Sequence, residues 1–415
     1  MTPTTLIAGG GIGGLACALA LARAGVRSAV LEQSSALAEV GAGLQLGPNA
    51  VRVLADWGLM DALQACAAFP EALRVRDAHG GQPLGHLRLG AMALARHGQV
   101  YATLHRADLH GLLLNAVQRM PDEVSLRLGA RVTAFEETGD GVQVMLEQGK
   151  ALQGEALIGC DGLWSRVRTH LLGDHMPRAT GHLAYRGMVR TADLPPALKA
   201  NVVTAWLGPR LHVVHYPVKQ GEWINVVAVV HGTLDAGDDP QRWTHEAHAA
   251  ELKRTLGPAF TELLAMLEAV TGWQRWALND RVPMQGPQEQ AQGRVALLGD
   301  AAHPMRPYLA QGAAMAIEDA WTLGRLAAAQ RGRLDWPDVF AQYANLRWAR
   351  NAQVQARSQR NGTIFHATGP LRWARNRAMA LLGERLLDND WLYDGPPEPP
   401  PATPEMPPPR KRKTT

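Results

Sequence analysis

The chain has 415 residues, of which 46% are hydrophobic and 19% are charged, and its formal net charge is +4. This length exceeds a typical single core and the composition is that of a globular protein, so two domains are expected. Residues 395–415 combine four cations with two acids and so carry half of the net charge. The remainder is close to neutral, which gives nucleic-acid binding no support.

The three cysteines, Cys17, Cys66 and Cys160, are far apart and form neither a CxxC motif nor a metal-binding spacing. Buried reduced thiols are expected, consistent with the cytoplasm. The first residues contain neither a basic region nor a cleavable apolar segment, and no run is long enough to span a bilayer. We therefore expect a cytoplasmic protein without a membrane partner, either a monomer or a homodimer.

The stretch GGGIGG at 9–14 follows a short apolar strand and opens a helix rich in alanine and leucine. A second strand then ends at Glu32. This order of elements is the dinucleotide-binding fingerprint in its required context. Gly9 permits the tight turn, Gly11 lets the backbone approach a pyrophosphate, and Gly14 lets the helix pack on the strand. Glu32 is placed to accept hydrogen bonds from an adenosine ribose.

The next stretch, GAGLQLGPN at 41–49, alternates small and apolar residues without a helical period. Such a pattern indicates backbone that passes close to a ligand, and Asn49 is predicted to be the N-cap of a helix over 50–57. Arg106 stands at the entrance of a later apolar helix, where it could reach a phosphate. A surface arginine is the alternative interpretation of that residue.

Two further carboxylates follow short apolar runs that are typical of buried strands. Asp161 comes after 156–159 and Asp300 after 295–298, so both are predicted at the carboxyl ends of strands, where open α/β sheets bind ligands. A helix beginning near Gly312 and Ala313 would direct its free N–H groups toward an anion. An ordinary strand, loop and helix with a solvated Asp300 is the alternative.

Residues 180–275 change to alternating strands rich in Trp and His, which predicts a separate sheet. In the strand 211–216, His212, Val214 and Tyr216 share one face, and His215 points to the other. After residue 320, helices are predicted to about residue 394, with four arginines on their polar faces: Arg347, Arg350, Arg357 and Arg360. The tail from 395 carries nine of the 27 prolines and is predicted to be disordered.

These elements together resemble the single-component FAD-dependent aromatic hydroxylases, the group A flavoprotein monooxygenases. The likeness covers nearly the whole chain except the tail. It is closest to the salicylate, 3-hydroxybenzoate and 6-hydroxynicotinate hydroxylases, through residues 41–50, 105–110 and 303–320. The resemblance implies an α/β (α+β mixed) fold with a Rossmann-like FAD-binding domain, an inserted mixed β-sheet substrate domain and C-terminal helices.

The corresponding domain limits are 1–71, 101–175 and 276–345 for the FAD-binding domain and 72–100 with 176–275 for the substrate domain. The C-terminal helices would occupy 346–394, and the tail 395–415.

The resemblance also implies which residues hold the cofactor. Gly9, Gly11, Gly14 and Glu32 would hold the ADP half of FAD. Arg106 would contact the flavin and Asp300 the ribityl chain, while Gly312 and Ala313 would face the isoalloxazine ring. Asp161 would serve both FAD and the pyridine nucleotide, NADH or NADPH, which binds transiently because no second Rossmann fold is present. Arg168 is usually structural in this motif.

The implied reaction reduces FAD with NAD(P)H after substrate has bound, and O2 then gives a flavin C4a-hydroperoxide whose distal oxygen is transferred to the aromatic ring. By resemblance, His212 and Tyr216 line the pocket as catalytic residues, and Gln45, Arg186 and Tyr308 contact the substrate. Arg186 and Arg306 could each pair with a substrate carboxylate or serve domain packing.

Two departures leave the substrate open. Pro307 replaces a pocket glutamine of the 3-hydroxybenzoate branch, and Gln45 replaces a histidine of the hydroxynicotinate branch. Two other hypotheses remain: a flavin enzyme that epoxidises or N-hydroxylates a larger natural product, and an NAD-linked dehydrogenase or nucleotide-binding module.

Overall fold

The computed structural model describes residues 4–37, 43–173, 176–235, 237–242, 245–330 and 334–398. The strands, in chain order, are β1 (Thr5–Ala8), β2 (Ser28–Leu31), β3 (Gly43–Leu46), β4 (Ala72–Asp77), β5 (Pro83–Arg88), β6 (Ala102–His105), β7 (Val124–Arg127), β8 (Val132–Thr138), β9 (Gly141–Leu146), β10 (Ala151–Gly154), β11 (Ala156–Gly159), β12 (Arg178–Arg190), β13 (Val202–Gly208), β14 (Leu211–Val218), β15 (Trp223–His231), β16 (His245–Ala247), β17 (Trp273–Asp280), β18 (Ala291–Gln292) and β19 (Val295–Leu297).

The α-helices, in the same order, are α1 (Ile12–Arg23), α2 (Pro48–Asp56), α3 (Met60–Gln64), α4 (Ala91–His97), α5 (Arg106–Gln118), α6 (Arg166–Leu172), α7 (Ala249–Leu256), α8 (Thr261–Ala269), α9 (Gly312–Ala329), α10 (Trp336–Phe365), α11 (Gly369–Leu382), α12 (Glu384–Leu387) and α13 (Asp390–Tyr393).

A six-stranded sheet with the order β18-β19-β11-β1-β2-β7 forms the first layer, and only the short edge strand β18 is antiparallel. Every residue of β1, β2, β11 and β19 is buried, as expected of parallel strands covered on both faces. Helices α1 and α9 pack closely: a Cβ on Gly324 would lie 2.9 Å from the backbone oxygen of Ala20. The predicted strands at the fingerprint and before Asp161 and Asp300 are all present.

The second layer is an eight-stranded mixed sheet with the order β16-β17-β12-β15-β14-β13-β4-β5. One face packs on α7 and α8 in a core that includes Trp206, Val213 and Leu263. The other face turns toward the first layer and carries Tyr216 in a separate cluster with Met315. The predicted fold class, a Rossmann-like unit joined to a mixed β-sheet with C-terminal helices, is confirmed. The domain limits given above remain predictions.

Two local predictions are wrong. Helix α2 begins at Pro48 with Gly47 as its N-cap, because proline is preorganised for the first helical position. Asn49 therefore lies inside the helix, where its buried Nδ2 donates to Oε1 of Gln311 (3.1 Å) and of Glu318 (2.7 Å). Its side chain connects the second helix to the start of α9.

The placement of Arg347 on a polar face is also wrong. Arg347 is only 1% exposed. Its Nε donates to Asp319 Oδ1 (2.7 Å) and its Nη1 to Glu318 Oε2 (2.8 Å). Arg350 adds two hydrogen bonds to Glu318, from Nε and Nη2 at 2.8 Å each. These buried pairs lock α10 against α9.

The chain remains packed beyond α13. Gly395 and Pro396 are buried, and Gly395 accepts a hydrogen bond from Arg52. The rest of the tail, including the basic residues 410–413, lies outside the described residues. Among the described residues no helix combines the length and apolarity needed to cross a bilayer.

Candidate active site

The four loops predicted to bind a dinucleotide all leave the same edge of the parallel sheet. They follow β2, β1, β11 and β19, which are consecutive neighbours, so their ends extend over roughly 14 Å at the usual strand spacing. Glu32 stands at one end of this row and Asp300 at the other. The row thus has the extended form needed for a ligand with one nucleotide at each end.

The glycine loop has the close backbone contacts that its motif predicts. Gly9 has φ of +104°, and a Cβ there would lie 2.4 Å from the carbonyl oxygen of Cys160. A Cβ on Gly14 would lie 1.9 Å from the carbonyl oxygen of Gly9. Gly11 is the N-cap of α1 and supplies no side-chain cap. The loop is therefore held against the Asp161 loop, and the start of α1 has no side chain capping its N–H groups.

Glu32 is fixed beside this loop by two backbone donors. Its Oε2 accepts from the Gly10 amide (2.7 Å) and its Oε1 from the Ser34 amide (2.8 Å). A carboxylate oriented in this way retains lone pairs for the hydroxyls of a ribose.

Asp300 lies at the other end, close to the start of α9: a Cβ on Gly312 would be 3.8 Å from its Oδ1. Burial among protein atoms raises the pKa of Asp300, partly offset by the charges of Arg106 and His303. Nevertheless its own surface is exposed. Asp300 is therefore surrounded by protein on most sides but reaches solvent on one side, so its carboxylate faces a cleft. The first turn of α9 borders it, with Gly312 and Ala313 half-buried and no side-chain cap at Gln311.

The carboxylate of Asp161 caps α6. It accepts from the hydroxyl of Ser165 (2.5 Å) and from the amides of Arg166 (2.8 Å) and Val167 (3.1 Å). Arg168 is buried and its Nη1 donates to the carbonyl oxygens of Ala301 (3.3 Å) and Ala302 (2.6 Å). Arg168 thus holds the loop that follows Asp300, which is the structural role expected of it.

These features fit a dinucleotide such as FAD. The glycine positions form a cradle that any Cβ would fill, and two helices begin at the cleft with no side-chain caps at their N-termini. Such N-termini stabilise negative charge. The backbone of 41–49 was expected to pass close to a ligand. Gly41 and Ala42, the first two residues of that stretch, lie outside the described residues.

The large sheet covers the cleft with a grid of side chains whose positions follow from strand register. Three successive rows run across β12, β15, β14 and β13. Their members are Ala184, Val229, His212 and Leu207; then Arg186, Val227, Val214 and Ala205; then Met188, Asn225 and Tyr216, where the pairing with β13 has ended. His212 and Tyr216 thus flank an apolar centre formed by Val214 and Val227, with Arg186 at its β12 end. We call this grid the chamber roof.

At one end of the chamber roof, Tyr216 belongs to a polar group that includes Gln45. Gln45 hydrogen-bonds to Tyr216, and its Oε1 accepts from Tyr101 Oη at 2.8 Å. The Gly43 amide donates to Asn225 Oδ1 (2.7 Å), which fixes β3 against the sheet. Burial raises the pKa of Tyr216 beyond its ordinary range, so this phenol is protonated and can donate a hydrogen bond.

At the other end, His212 contacts His366 and Tyr308. His212 Nδ1 lies 2.8 Å from His366 Nε2, and the ring centroids of His212 and Tyr308 are 5.1 Å apart. Tyr308 Oη is 2.6 Å from His182 Nδ1. Burial, helped by the charge of His182, lowers the pKa of His212 to about 3. His212 is therefore a neutral imidazole at pH 7.

Two predicted carboxylate partners already have protein contacts. Arg186 Nε and Nη2 donate to Gln274 Oε1 at 3.3 and 3.1 Å, and its guanidinium lies 5.1 Å from the ring centre of Trp276. Arg306 donates to Asp280 Oδ2 from Nε (2.8 Å), and its Nη2 is 2.7 Å away. Arg186 remains on the chamber roof, whereas Arg306 is committed to an ion pair.

His215 lies on the opposite face of β14, as predicted from strand alternation. Its ring stacks on Trp206 with a centroid distance of 6.4 Å. Burial and the charge of Arg76 lower its pKa to about 4. His215 therefore belongs to the core beneath α7 and α8.

Several residues of the site were not predicted. Tyr101, Asn49, His182 and His366 reach it from separate elements, and their side chains meet the expected residues only through folding. The one local signal was the unusual density of histidines in the strands around 182–231.

Comparison with known proteins decides the family. The chain matches the FAD binding domain family over residues 2–358. It belongs to this family. It is 38% identical over 391 residues to the 3-hydroxybenzoate 6-hydroxylase of Polaromonas naphthalenivorans (strain CJ2), covering 94% of this chain and 95% of that enzyme.

The chain is also 34% identical over 361 residues to the 6-hydroxynicotinate 3-monooxygenase of Bordetella bronchiseptica (strain RB50), covering 86% of this chain and 91% of that enzyme. Among solved structures, Klebsiella pneumoniae HpxO complexed with FAD and uric acid has a TM-score of 0.81 and 26% identity, covering 93% of this chain and 94% of that one. The resemblance to FAD-dependent aromatic hydroxylases and the assignment of FAD as cofactor are confirmed.

Proposed function

We propose that this chain is an FAD-dependent monooxygenase that hydroxylates a small aromatic acid with NADH or NADPH and O2. The relatives named above, which act on 3-hydroxybenzoate and 6-hydroxynicotinate, support the class of reaction and substrate. The observation that carries the proposal is the chamber roof, where His212, Tyr216 and Arg186 surround an apolar centre beside the FAD cleft. We also propose a cytoplasmic monomer or homodimer.

Bound FAD would supply the two-electron reduction of O2 at the expense of NAD(P)H, so that one atom of O2 enters the ring and the other leaves as water. The glycine loop and Glu32 would hold its ADP half. Asp300 and Arg106 would contact its central part, and the start of α9 at Gly312 and Ala313 would stabilise negative charge on the ring system. Asp161, whose carboxylate caps α6, would serve FAD and the nicotinamide nucleotide through the loop that it orders.

Substrate activation would fall to His212. A phenolic ring reacts with an electrophilic oxygen more readily when its hydroxyl hydrogen-bonds to an acceptor or loses its proton. Neutral His212 can accept from that hydroxyl with Nε2, because Nδ1 is paired with His366. Its low pKa makes it a poor holder of a full proton, so His212 would act by accepting the hydrogen bond that raises the electron density of the ring.

Orientation of the ring would come from the other end of the roof. Val214 and Val227 would contact the ring face, and Tyr216, which is protonated, would donate to a polar substituent. Arg186 would attract the carboxylate from the β12 side, exchanging its contact with the neutral Gln274 for a charge-assisted hydrogen bond. Tyr308 would close the chamber beside His212.

The test is a substrate-stimulated oxidation screen. Protein reconstituted with FAD is mixed with NADH or NADPH and a few dozen aromatic acids, and nucleotide oxidation, O2 uptake and hydroxylated product are measured together. At least one phenolic or N-heteroaromatic acid should accelerate oxidation and yield product in proportion to O2. If flavin-loaded protein oxidises the nucleotide at one rate with every acid, the proposed substrate class is wrong.

A further inference from the structure

We infer that His182, His231 and His366 form a binding site for a divalent transition-metal ion of the zinc or copper class. One ring nitrogen from each residue lies within 4.8 Å of those of the other two. The ring centroids are 4.5 Å (His182–His231), 5.0 Å (His182–His366) and 5.1 Å (His231–His366) apart. Three imidazoles at zinc-bond length would have nitrogens about 3.3 Å apart, so modest side-chain rotation closes the site.

The three ligands come from separate elements that the backbone ties together. His182 on β12 and His231 on β15 are direct partners in the sheet. The His231 amide donates to the Arg210 carbonyl (3.2 Å), and the Arg210 amide donates to the His366 carbonyl (3.0 Å). Backbone hydrogen bonds thus set the spacing of the histidines, and a metal ion would not have to assemble them from a mobile loop.

Two of the ligands already have the supporting contacts that metal-bound histidines use. A ligating imidazole commonly has its second nitrogen held by a neighbouring group, which fixes the tautomer. Tyr308 Oη holds Nδ1 of His182 at 2.6 Å, and His212 Nδ1 holds Nε2 of His366 at 2.8 Å. The nitrogen of His366 that stays available is Nδ1, which is buried without a hydrogen-bond partner among the described residues. With a metal ion on Nδ1, Nε2 of His366 carries the proton and donates to His212 Nδ1, so the metal-bound protein would lack the form of His212 whose Nε2 accepts from a substrate.

The charges around the three histidines act in both directions. Neutral imidazole is the form that binds metal. His366 is the C-cap of the 30-residue helix α10, whose C-terminal end attracts cations. Arg306, Arg210 and Arg375 oppose a dication, and Asp280 partly offsets them.

Access and selectivity follow from the same geometry. His231 is exposed, so an ion can enter from solvent and keep a water as its fourth ligand. Imidazole ligands suit Cu²⁺ and Zn²⁺ better than Mg²⁺ or Ca²⁺, and Cu²⁺ has the highest affinity in the divalent series.

The experiment uses the full chain with FAD bound, purified without a polyhistidine tag. Calorimetric titration with ZnCl2 should show one zinc ion bound per chain. Electron paramagnetic resonance with CuCl2 should show hyperfine structure from coordinated nitrogen. His231→Ala should weaken zinc binding by at least about tenfold, comparable to the loss of a supporting contact, while the flavin content stays unchanged. His231→Cys, which restores a zinc ligand, should recover zinc affinity.

Two control variants locate the site. His79→Ala removes an exposed histidine elsewhere and should change nothing. His97→Ala breaks a second candidate group among the described residues, His97 with Asp388 and Asp390, and should also leave zinc binding intact. Absence of stoichiometric binding to the wild type, retention of full affinity in His231→Ala, or loss of binding in His97→Ala would each overturn the inference.

Discussion

His212 and His366 meet through their ring nitrogens, Nδ1 to Nε2 at 2.8 Å, although 154 residues separate them in the chain. The first comes from a central strand of the large sheet and the second from the end of α10. Because both imidazoles are neutral at pH 7, one nitrogen of the contact donates and the other accepts. The pair therefore has two tautomeric arrangements: Nε2 of His212 accepts a hydrogen bond when Nδ1 donates to His366, and Nε2 donates when Nδ1 accepts.

His212→Ala is expected to retain FAD and substrate-stimulated nucleotide oxidation but to lose most hydroxylation, releasing hydrogen peroxide instead. General acid–base groups of this kind contribute about 10²–10⁴-fold. Product and peroxide are quantified per nucleotide oxidised. The matched control is His215→Phe, on the opposite face of β14, which should leave the ratio unchanged. Wild-type product yield in His212→Ala would remove His212 from the mechanism.

The neutral buried histidines predict a loss of stability in mild acid. Burial, with Arg76 contributing, lowers the pKa of His215 to about 4, whereas an unfolded histidine titrates near 6.5. The stabilisation is therefore complete above pH 6.5 and is lost as pH falls from 6.5 through 4, since only the unfolded chain binds the proton. Between pH 7 and pH 5 this costs about 2 kcal/mol for this histidine.

His215→Phe isolates that contribution. The Nε2 of His215 has no hydrogen-bond partner among the described residues, and a phenyl ring can keep the stacking on Trp206. Urea unfolding at pH 7 and pH 5 should show a smaller acid loss in the variant, by about 2 kcal/mol. An identical pH dependence in both proteins would contradict a depressed pKa at His215.

Asp300 is expected to be required for flavin retention. It lies at the mouth of the cleft beside Arg106 and the first turn of α9, where it can accept hydrogen bonds from a polyol chain. Asp300→Ala should be purified with little or no FAD, read as the flavin-to-protein absorbance ratio, while its circular dichroism stays native. Glu136→Ala, an exposed acid on β8, is the control. Full flavin content in Asp300→Ala would exclude a direct contact.

Two glycines in helices should respond oppositely to alanine. At Gly14 the new Cβ would lie 1.9 Å from the Gly9 carbonyl, whereas at Gly111 in α5 it meets nothing within 4 Å. Gly14→Ala should displace the fingerprint loop, lose FAD and cost about 1–3 kcal/mol. Gly111→Ala should stabilise the protein by about 0.5–1 kcal/mol through helix propensity. Urea unfolding and flavin content measure both effects, and equal responses would refute the contact argument.

The features that could be predicted from the sequence depend on residues close together in the chain or on the periodicity of a strand. The fingerprint loop depends on glycines within a few residues of one another, and the faces of β14 follow from strand alternation, so the opposite orientations of His212 and His215 were predictable. The carboxylates after β11 and β19 were placed at one sheet edge because parallel strands share their carboxyl ends.

What could not be predicted depends on contacts between distant elements. Arg347 on α10 looked solvated because its partners, Glu318 and Asp319, lie almost thirty residues earlier on α9. His366 carries no local sign of function, since its role depends on meeting His212, His182 and His231 after folding. Apart from the density of histidines around 182–231, nothing in the sequence indicated the histidine group, and nothing indicated the buried ion cluster.

The buried ion cluster leads to the last prediction. Burial raises the pKa of Asp319, but the charges of His303 and Arg347 outweigh it and hold the pKa well below its usual value. The same competition, with Arg347 and Arg350, lowers the pKa of Glu318. Both carboxylates are therefore charged in the interior, where they depend on their partners.

Arg347→Ala should destabilise the protein by about 3–5 kcal/mol, because it leaves buried carboxylate charge undercompensated. The control is Lys253→Ala, which removes the partially exposed pair with Glu268 and should cost less than about 1 kcal/mol. Urea unfolding at pH 7 compares the two. Because α10 is locked onto α9, Arg347→Ala should also loosen the helix start at Gly312 and reduce flavin content. A cost equal to that of Lys253→Ala would mean that Arg350, His303 and Asn351 suffice to neutralise and solvate the cluster.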